Sequence, residues 1–264
     1  MLHRLTSILA TGLIVICLLT ACNQRKAESK EEQIRVDATE TPDDRDTANS
    51  IQGNVSLTQL STIPSNVVLT GLPAHRLVPV YKNKAASKAA RDSYSSSGYS
   101  YDNDATESER WEHFMPGVDI LYGYNLLNIA HYNLQTEKLN TLFTKPGLIK
   151  TLYYPSLNQD SLNLKPINRN YYLVSVYDED TNGDTLINRK DLRRFYHFDS
   201  TGVVKTQMIP ADYSVMRSQY DSQNDIMYLF ARQDADKNGK VDTKEPTHIF
   251  WFSLKTPQQA KRLY

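Results

Sequence analysis

Tyr171-Tyr172-Leu173-Val174-Ser175-Val176-Tyr177, an acidic loop, and then Phe195-Tyr196-His197-Phe198 form the stretch on which the fold turns. Both runs are apolar or aromatic at nearly every position, so neither face of an extended chain would be polar. A strand with one face in water alternates, whereas a strand covered on both faces does not. The stretch therefore predicts strands buried inside a stack of antiparallel sheets. The order strand, loop, strand, turn, strand continues here through 192–198, the turn Asp199-Ser200-Thr201-Gly202, and 203–209. It recurs as 226–231, a second acidic loop, 248–254, the turn Lys255-Thr256-Pro257, and 260–264. An earlier copy reads 119–124, 126–134, the turn Gln135-Thr136-Glu137-Lys138, and 139–143. Each copy has a leading strand, at 67–69, 148–154 and 213–220, and a further strand is expected at 75–81. Phe195-Tyr196-His197-Phe198 aligns with Ile249-Phe250-Trp251-Phe252 and with Ile129-Ala130-His131-Tyr132. The chain reads as all-β, with three antiparallel blade-like repeats.

The acidic loops carry a chemical signal of their own. In 234–245, Asp234, Asp236 and Asn238 place side-chain oxygens at positions 1, 3 and 5 of a twelve-residue calcium loop. Gly239 permits the sharp turn at position 6, Lys240 offers its carbonyl at 7, and Glu245 closes the cage at 12. Val241 takes the apolar position 8. Upstream, Asp180, Asn182, Asp184, Leu186 and Asp191 hold positions 1, 3, 5, 7 and 12, with Ile187 at 8, at a constant offset of 54 residues. Thr185 stands here at position 6, where Gly is usual. A frame beginning at Asp178 would move Gly183 to position 6, but it leaves Arg189 at 12 and cannot close. A solvated acidic turn uses the same residue types; repetition in one register favours metal. Neither flank carries a helical stripe, so these EF-hand-like loops are expected to join strands and to fix a turn. The helical opening of a calcium sensor is not expected.

The N-terminus points to export. His3 and Arg4 precede an apolar run over 8–19, which ends in Leu19-Thr20-Ala21-Cys22. That run is shorter than the roughly 20 residues that span a bilayer, and its layout is that of an export signal. The stretch 22–54 is polar and poor in aromatics, which predicts a disordered tether. The folded region is expected over 55–264, interrupted by a polar insertion at about 82–110. Asp102 and Asp104 inside that insertion lack a Gly and a closing carboxylate at the required spacing, so no third loop is expected there. Cys17 and Cys22 are the two cysteines of the chain. Removal of the signal leaves one, so no internal disulfide forms, and bound metal would serve as the staple.

Other chemistry is excluded or left open by what the chain contains. Lys and Arg together number 30, as do Asp and Glu, and this balance argues against a nucleic-acid surface. No nucleophile elbow, phosphate-binding Gly-rich loop, zinc cluster or His-Glu-x-x-His helix occurs. His131 and His197 fall at equivalent positions, with Trp251 as the third. Shared packing explains this; a glycan- or peptide-processing enzyme using His131, His197 and Tyr124 at one end of the repeats is the alternative. The 17 tyrosines suit strand packing or a sugar- or peptide-binding face.

Two resemblances sharpen these expectations. Leu-Thr-Ala-Cys resembles the lipobox of bacterial lipoproteins, which implies a signal over 1–21 cut before Cys22, acylation of Cys22 and anchoring in the cell envelope. Asn23 after that Cys implies the outer membrane in a Gram-negative host. The repeating unit over about 60–264 resembles the β-propeller blades of bacterial periplasmic proteins of the TolB and WD40-like kind. Closed propellers typically use four to eight blades, so three imply a partial or atypical propeller. Its unpaired edges would suit pairing with another chain or a second copy. The resemblance implies a binding or scaffold module for a protein or glycan partner, with calcium as a structural cofactor.

Overall fold

The computed structural model describes residues 50–83, 115–257 and 259–264. The signal, Cys22, the tether before residue 50, and the insertion at 84–110 with Asp102 and Asp104 lie outside the described residues, as does the side chain of Tyr124. The described chain is all-β, with antiparallel sheets that do not close and no α-helix.

Order begins earlier than the composition suggests. β1 (Ile51–Gln52) pairs antiparallel with Leu186–Ile187, far along the chain, and Ile51 is 3% exposed against Leu127, Leu148 and Ile187. The boundary expected at Val55 is corrected accordingly. One apolar residue in a polar tract was enough to dock the segment, because it adds to a core built by residues distant in sequence.

β2 (Thr62–Pro64) and β3 (Val68–Leu69) both pair with β4 (His75–Lys82), which pairs with β5 (Val118–Asn133), which pairs with β6 (Lys138–Thr141). β4 thus takes the place in the first repeat that was assigned to 119–124. The runs 119–124 and 126–134, read as two strands, are one sixteen-residue strand. The register shifts between Tyr122 and Leu126 instead of turning. Gly123 permits this bulge, since a Cβ there would lie 2.9 Å from the Leu126 Cβ.

The second repeat follows β5 directly. β7 (Leu148–Pro155) pairs with the first half of β5 on one side and with β10 (Tyr171–Tyr177) on the other. Between them β8 (Asp160–Leu162) and β9 (Lys165–Ile167) form a small hairpin that the sequence reading missed. Its turn residues Asn163 and Leu164 have φ of 52° and 62°, the twist that a two-residue hairpin requires. β11 (Leu186–Ile187) lies within the first acidic loop, and β12 (Arg194–Asp199) and β13 (Lys205–Gln207) complete the meander. The long β5 therefore fuses the first two repeats into one nine-stranded sheet. The third repeat is a separate four-stranded meander of β14 (Tyr213–Asp221), β15 (Ile226–Gln233), β16 (Thr247–Ser253) and β17 (Lys261–Arg262).

The opening stretch occupies the position its composition requires. Six consecutive residues of β10, Tyr171 to Val176, are buried. Tyr171 and Leu173 pack with Phe195, Met227, Leu229, Phe250 and Phe252 of one core cluster. Tyr172, Val174 and Val176 pack on the other side with Leu77, Leu126, Ile129 and Leu152. Strand alternation assigns these residues to opposite faces, so the central strands are covered on both.

The third repeat is locked to the second by a buried ion pair. Arg169, just before β10, donates to both carboxylate oxygens of Asp225 at 2.9 and 2.7 Å, and also to the carbonyls of Pro116 and Leu254. Tyr220 donates to Asp225 as well, and Tyr171 donates to the Leu254 carbonyl. The pair is almost fully buried, at 1% and 0% side-chain exposure, yet its lone pairs and N–H groups are well used. Burial of the Tyr220 phenol raises its pKa to about 12.

Candidate metal centre

Each acidic loop joins two adjacent antiparallel strands: one lies between β10 and β12, the other between β15 and β16. Their internal hydrogen bonds repeat position for position. In the second loop the amides of Asn238 and Gly239 donate to Asp234 at 3.0 and 2.9 Å. In the first, the amides of Asp184 and Thr185 donate to Asp180 at 3.2 and 2.8 Å. Position 5 accepts from the amide of position 7 in both, through Asn238 and Asp184. The closing carboxylate accepts from positions 2 and 9 in both. Glu245 takes the amides of Ala235 and Asp242, and Asp191 those of Thr181 and Asn188.

This pattern selects between the two frames for the first loop. Asp180 collects the loop amides that position 1 should collect. Asp178 instead accepts from the Tyr196 hydroxyl at 2.8 Å, and its pKa is raised by burial. The missing glycine is also explained. Both loops place positions 4 and 6 in the left-handed region: Gly183 at 73° and Thr185 at 71°, then Lys237 at 59° and Gly239 at 76°. Each loop has one glycine for these two places, and the two loops use it at different ones. A β-branched residue at such a φ is strained, so Thr185 is held there by its surroundings.

The loops differ in how their carboxylates converge. Asp234, Asp236 and Glu245 each bring an oxygen within 4.8 Å of the others, and among the described residues this is the one such carboxylate group. Ligand oxygens 2.3–2.6 Å from a calcium ion lie at most about 5 Å apart across it, so the spacing fits one ion. Asp234 is buried and Glu245 half-buried, while Asp236 is open to water. Asn238 and the Lys240 carbonyl belong to the same turn. In the first loop, Asp180, Asp184 and Asp191 form no comparable trio. Asp191 is 2% exposed and burial raises its pKa, but it accepts from Thr181, Asn182 and Asn188. Asp184 leans toward Leu186 and Asn188. Asn182, at position 3, has a buried side-chain amide nitrogen without a partner, and Leu186 at position 7 pairs with β1.

His131 and His197 do not meet. His131 is 1% exposed, with its Nε2 3.0 Å from His75 Nδ1 and its ring edge-on to Tyr172 at 5.7 Å. Burial lowers its pKa, and the charge of a protonated His75 lowers it further. His197 packs against Tyr171, which faces the third repeat. Since Tyr171 and Tyr172 occupy opposite faces of β10, no single cleft gathers His131 and His197. Both point from their own repeat toward the next one, a packing role. His75, the partner of His131, was missed because it comes from a strand that the reading had placed outside the repeats.

No protein-family model matches the chain, and a search of curated proteins finds no match.

Proposed function

We propose that the protein is an envelope-anchored calcium-binding lipoprotein whose stacked, blade-like β-repeats act as a binding or scaffold module. Calcium is a structural staple of its EF-hand-like loops. The observation that carries this reading is the convergence of Asp234, Asp236 and Glu245 on a space sized for one ion. Three features support it: the first loop repeats the same hydrogen bonds, strands flank both loops, and the central strands are covered on both faces. A loop tied into adjacent strands has little freedom to open, so the ion fixes a turn. Affinity is expected near 10⁻⁴ to 10⁻³ M, the range of extracellular modules. A protein or glycan partner fits a module without a gathered acid–base pair, and unpaired sheet edges suit a second chain.

Calcium should raise the melting temperature of the metal-stripped protein. At about 100 times the dissociation constant, one site adds about 2.7 kcal/mol, or roughly 5–10 °C for a domain of this size. Asp234→Ala combined with Glu245→Ala should remove most of that gain; an unchanged melting curve in the wild type would end the calcium reading. Anchoring at Cys22 is tested separately in an envelope-exporting bacterium. The wild-type chain should take up a radiolabelled fatty acid and Cys22→Ser should not, whereas equal labelling would refute the lipobox.

A further inference from the structure

We propose that the His75–His131 pair is an acid-released latch that holds the turn after β12 against β5. The device is separate from the calcium reading and uses none of the metal-ligating residues.

The pair sits where the first two repeats meet. His75 opens β4 and His131 lies on β5, with their facing nitrogens, Nδ1 and Nε2, 3.0 Å apart. From the second repeat, β10 sets Tyr172 edge-on to His131 at 5.7 Å. The turn 199–202 closes over the same ring: a Cβ on Gly202 would lie 3.2 Å from the His131 Cγ and 2.9 Å from the Leu142 Cδ2. Leu77, which pairs with His131 across the strands, belongs with Leu142 and Tyr172 to one buried cluster. The two imidazoles therefore cap an apolar core on which the turn rests.

Hydrogen bonding sets how many protons the pair can hold. Between neutral rings one imidazole donates an N–H and the other accepts on a lone pair. One added proton fits, because a cationic ring still donates and its neutral neighbour still accepts. A second leaves N–H facing N–H, with two positive charges on touching rings and His131 only 1% exposed. The folded chain thus takes up at most one proton here, whereas the unfolded chain takes two near a pH of about 6.5.

The groups around the pair do not offset this. Burial lowers the pKa of both histidines, and Arg76 on β4 lowers that of His75 further. Asp199 at the end of β12 acts the other way on both, as does the backbone at Ser200 and His131 on His131. The Asp199 carboxylate is already engaged by the Thr201 hydroxyl and the amides of Val203 and Val204, and His197 also draws on it. On β10, burial keeps the Tyr172 phenol neutral, and β6 sets the neutral Asn140 opposite His131. Lys205 of β13 lies over the rings of Phe143 and Tyr196, at 5.2 and 4.4 Å. Because the folded chain binds fewer protons than the unfolded one, stability is complete above a pH of about 6.5 and is lost as the pH falls below it. Parting the turn from β5 lets water reach the rings and relieves the repulsion.

Urea denaturation of the full chain at pH values of about 7.5 and 5.5, on either side of the ordinary histidine value, tests this. Glutamine places its amide where Nε2 was, and asparagine where Nδ1 was. His131→Gln and His75→Asn therefore keep a hydrogen-bonding group and lose the titration. On acidification the unfolding equilibrium constant of the wild type should rise by about five-fold or more beyond that of either variant. His197 and His248 are also held below their usual value by burial, so the difference between proteins is the readout. Hydrogen exchange locates the opening. The amides of Asp199 and Gly202, whose bonds close the turn, should lose protection at the lower pH in the wild type and keep it in His131→Gln. Parallel losses of stability in the wild type and both variants overturn the latch, as does equal protection of these amides at the two pH values. If His131→Gln folds poorly, His75→Asn, which alters the more exposed ring of the pair, decides the matter.

Discussion

Arg169→Met should lower the free energy of unfolding by about 3–5 kcal/mol, because it leaves the Asp225 carboxylate charged, buried and without its bidentate partner. The loss extends beyond the ion pair. The Arg169 guanidinium also donates to the buried carbonyl of Pro116 and shares the Leu254 carbonyl with the Tyr171 hydroxyl. Asp225→Asn is the informative companion: Asp225 has φ of 56°, a conformation Asn tolerates, so the change removes charge without adding backbone strain. With Arg169→Met already present, Asp225→Asn should be much less harmful than in the wild type, since no buried charge then remains. Urea denaturation of the four proteins measures this cycle. Strictly additive losses would show that the two side chains do not act as a unit.

Gly239→Ala should be the most damaging single change in either loop. Its φ of 76° adds about 1–2 kcal/mol of backbone strain for any L-residue. The new Cβ would also meet the Thr181 carbonyl at 1.8 Å, and forcing the chains apart adds about 1–3 kcal/mol more. Gly183→Ala separates these terms. Its φ is 73°, but a Cβ there meets nothing within 4 Å, so only the conformational term applies. The stability difference between the two variants in calcium-free buffer therefore measures the packing of one loop on the other. Equal losses would mean that the loops do not bear on each other.

Much of this architecture could be read from residue pattern. The run Tyr171 to Tyr177 marks a strand covered on both faces, and the third repeat keeps nearly the boundaries its apolar runs suggest, because each is closed by turn-forming residues. The reading failed where it divided one strand into two, at 119–124 and 126–134. Across Asn125 the chain stays extended and absorbs the extra residues as a bulge, so two repeats share one sheet. The ligand positions were legible because the spacing of oxygens along a loop is a local property. Their convergence was not: equal spacing and matching backbone hydrogen bonds give a gathered trio in the second loop and none in the first. Thr181, the Arg169–Asp225 pair and Ile51 left no local signal either. Each meets its partner through the stacking of strands far apart in sequence, and an isolated Thr, Arg or Ile in a loop carries no period by which to recognise it.

The most direct test of the calcium account is a crystal structure of the protein grown in millimolar calcium. The account predicts an ion in the second loop, 2.3–2.6 Å from oxygens of Asp234, Asp236, Asn238, the Lys240 carbonyl and Glu245. An open loop at that calcium concentration, with these carboxylates still engaged only by their own amides, would contradict it.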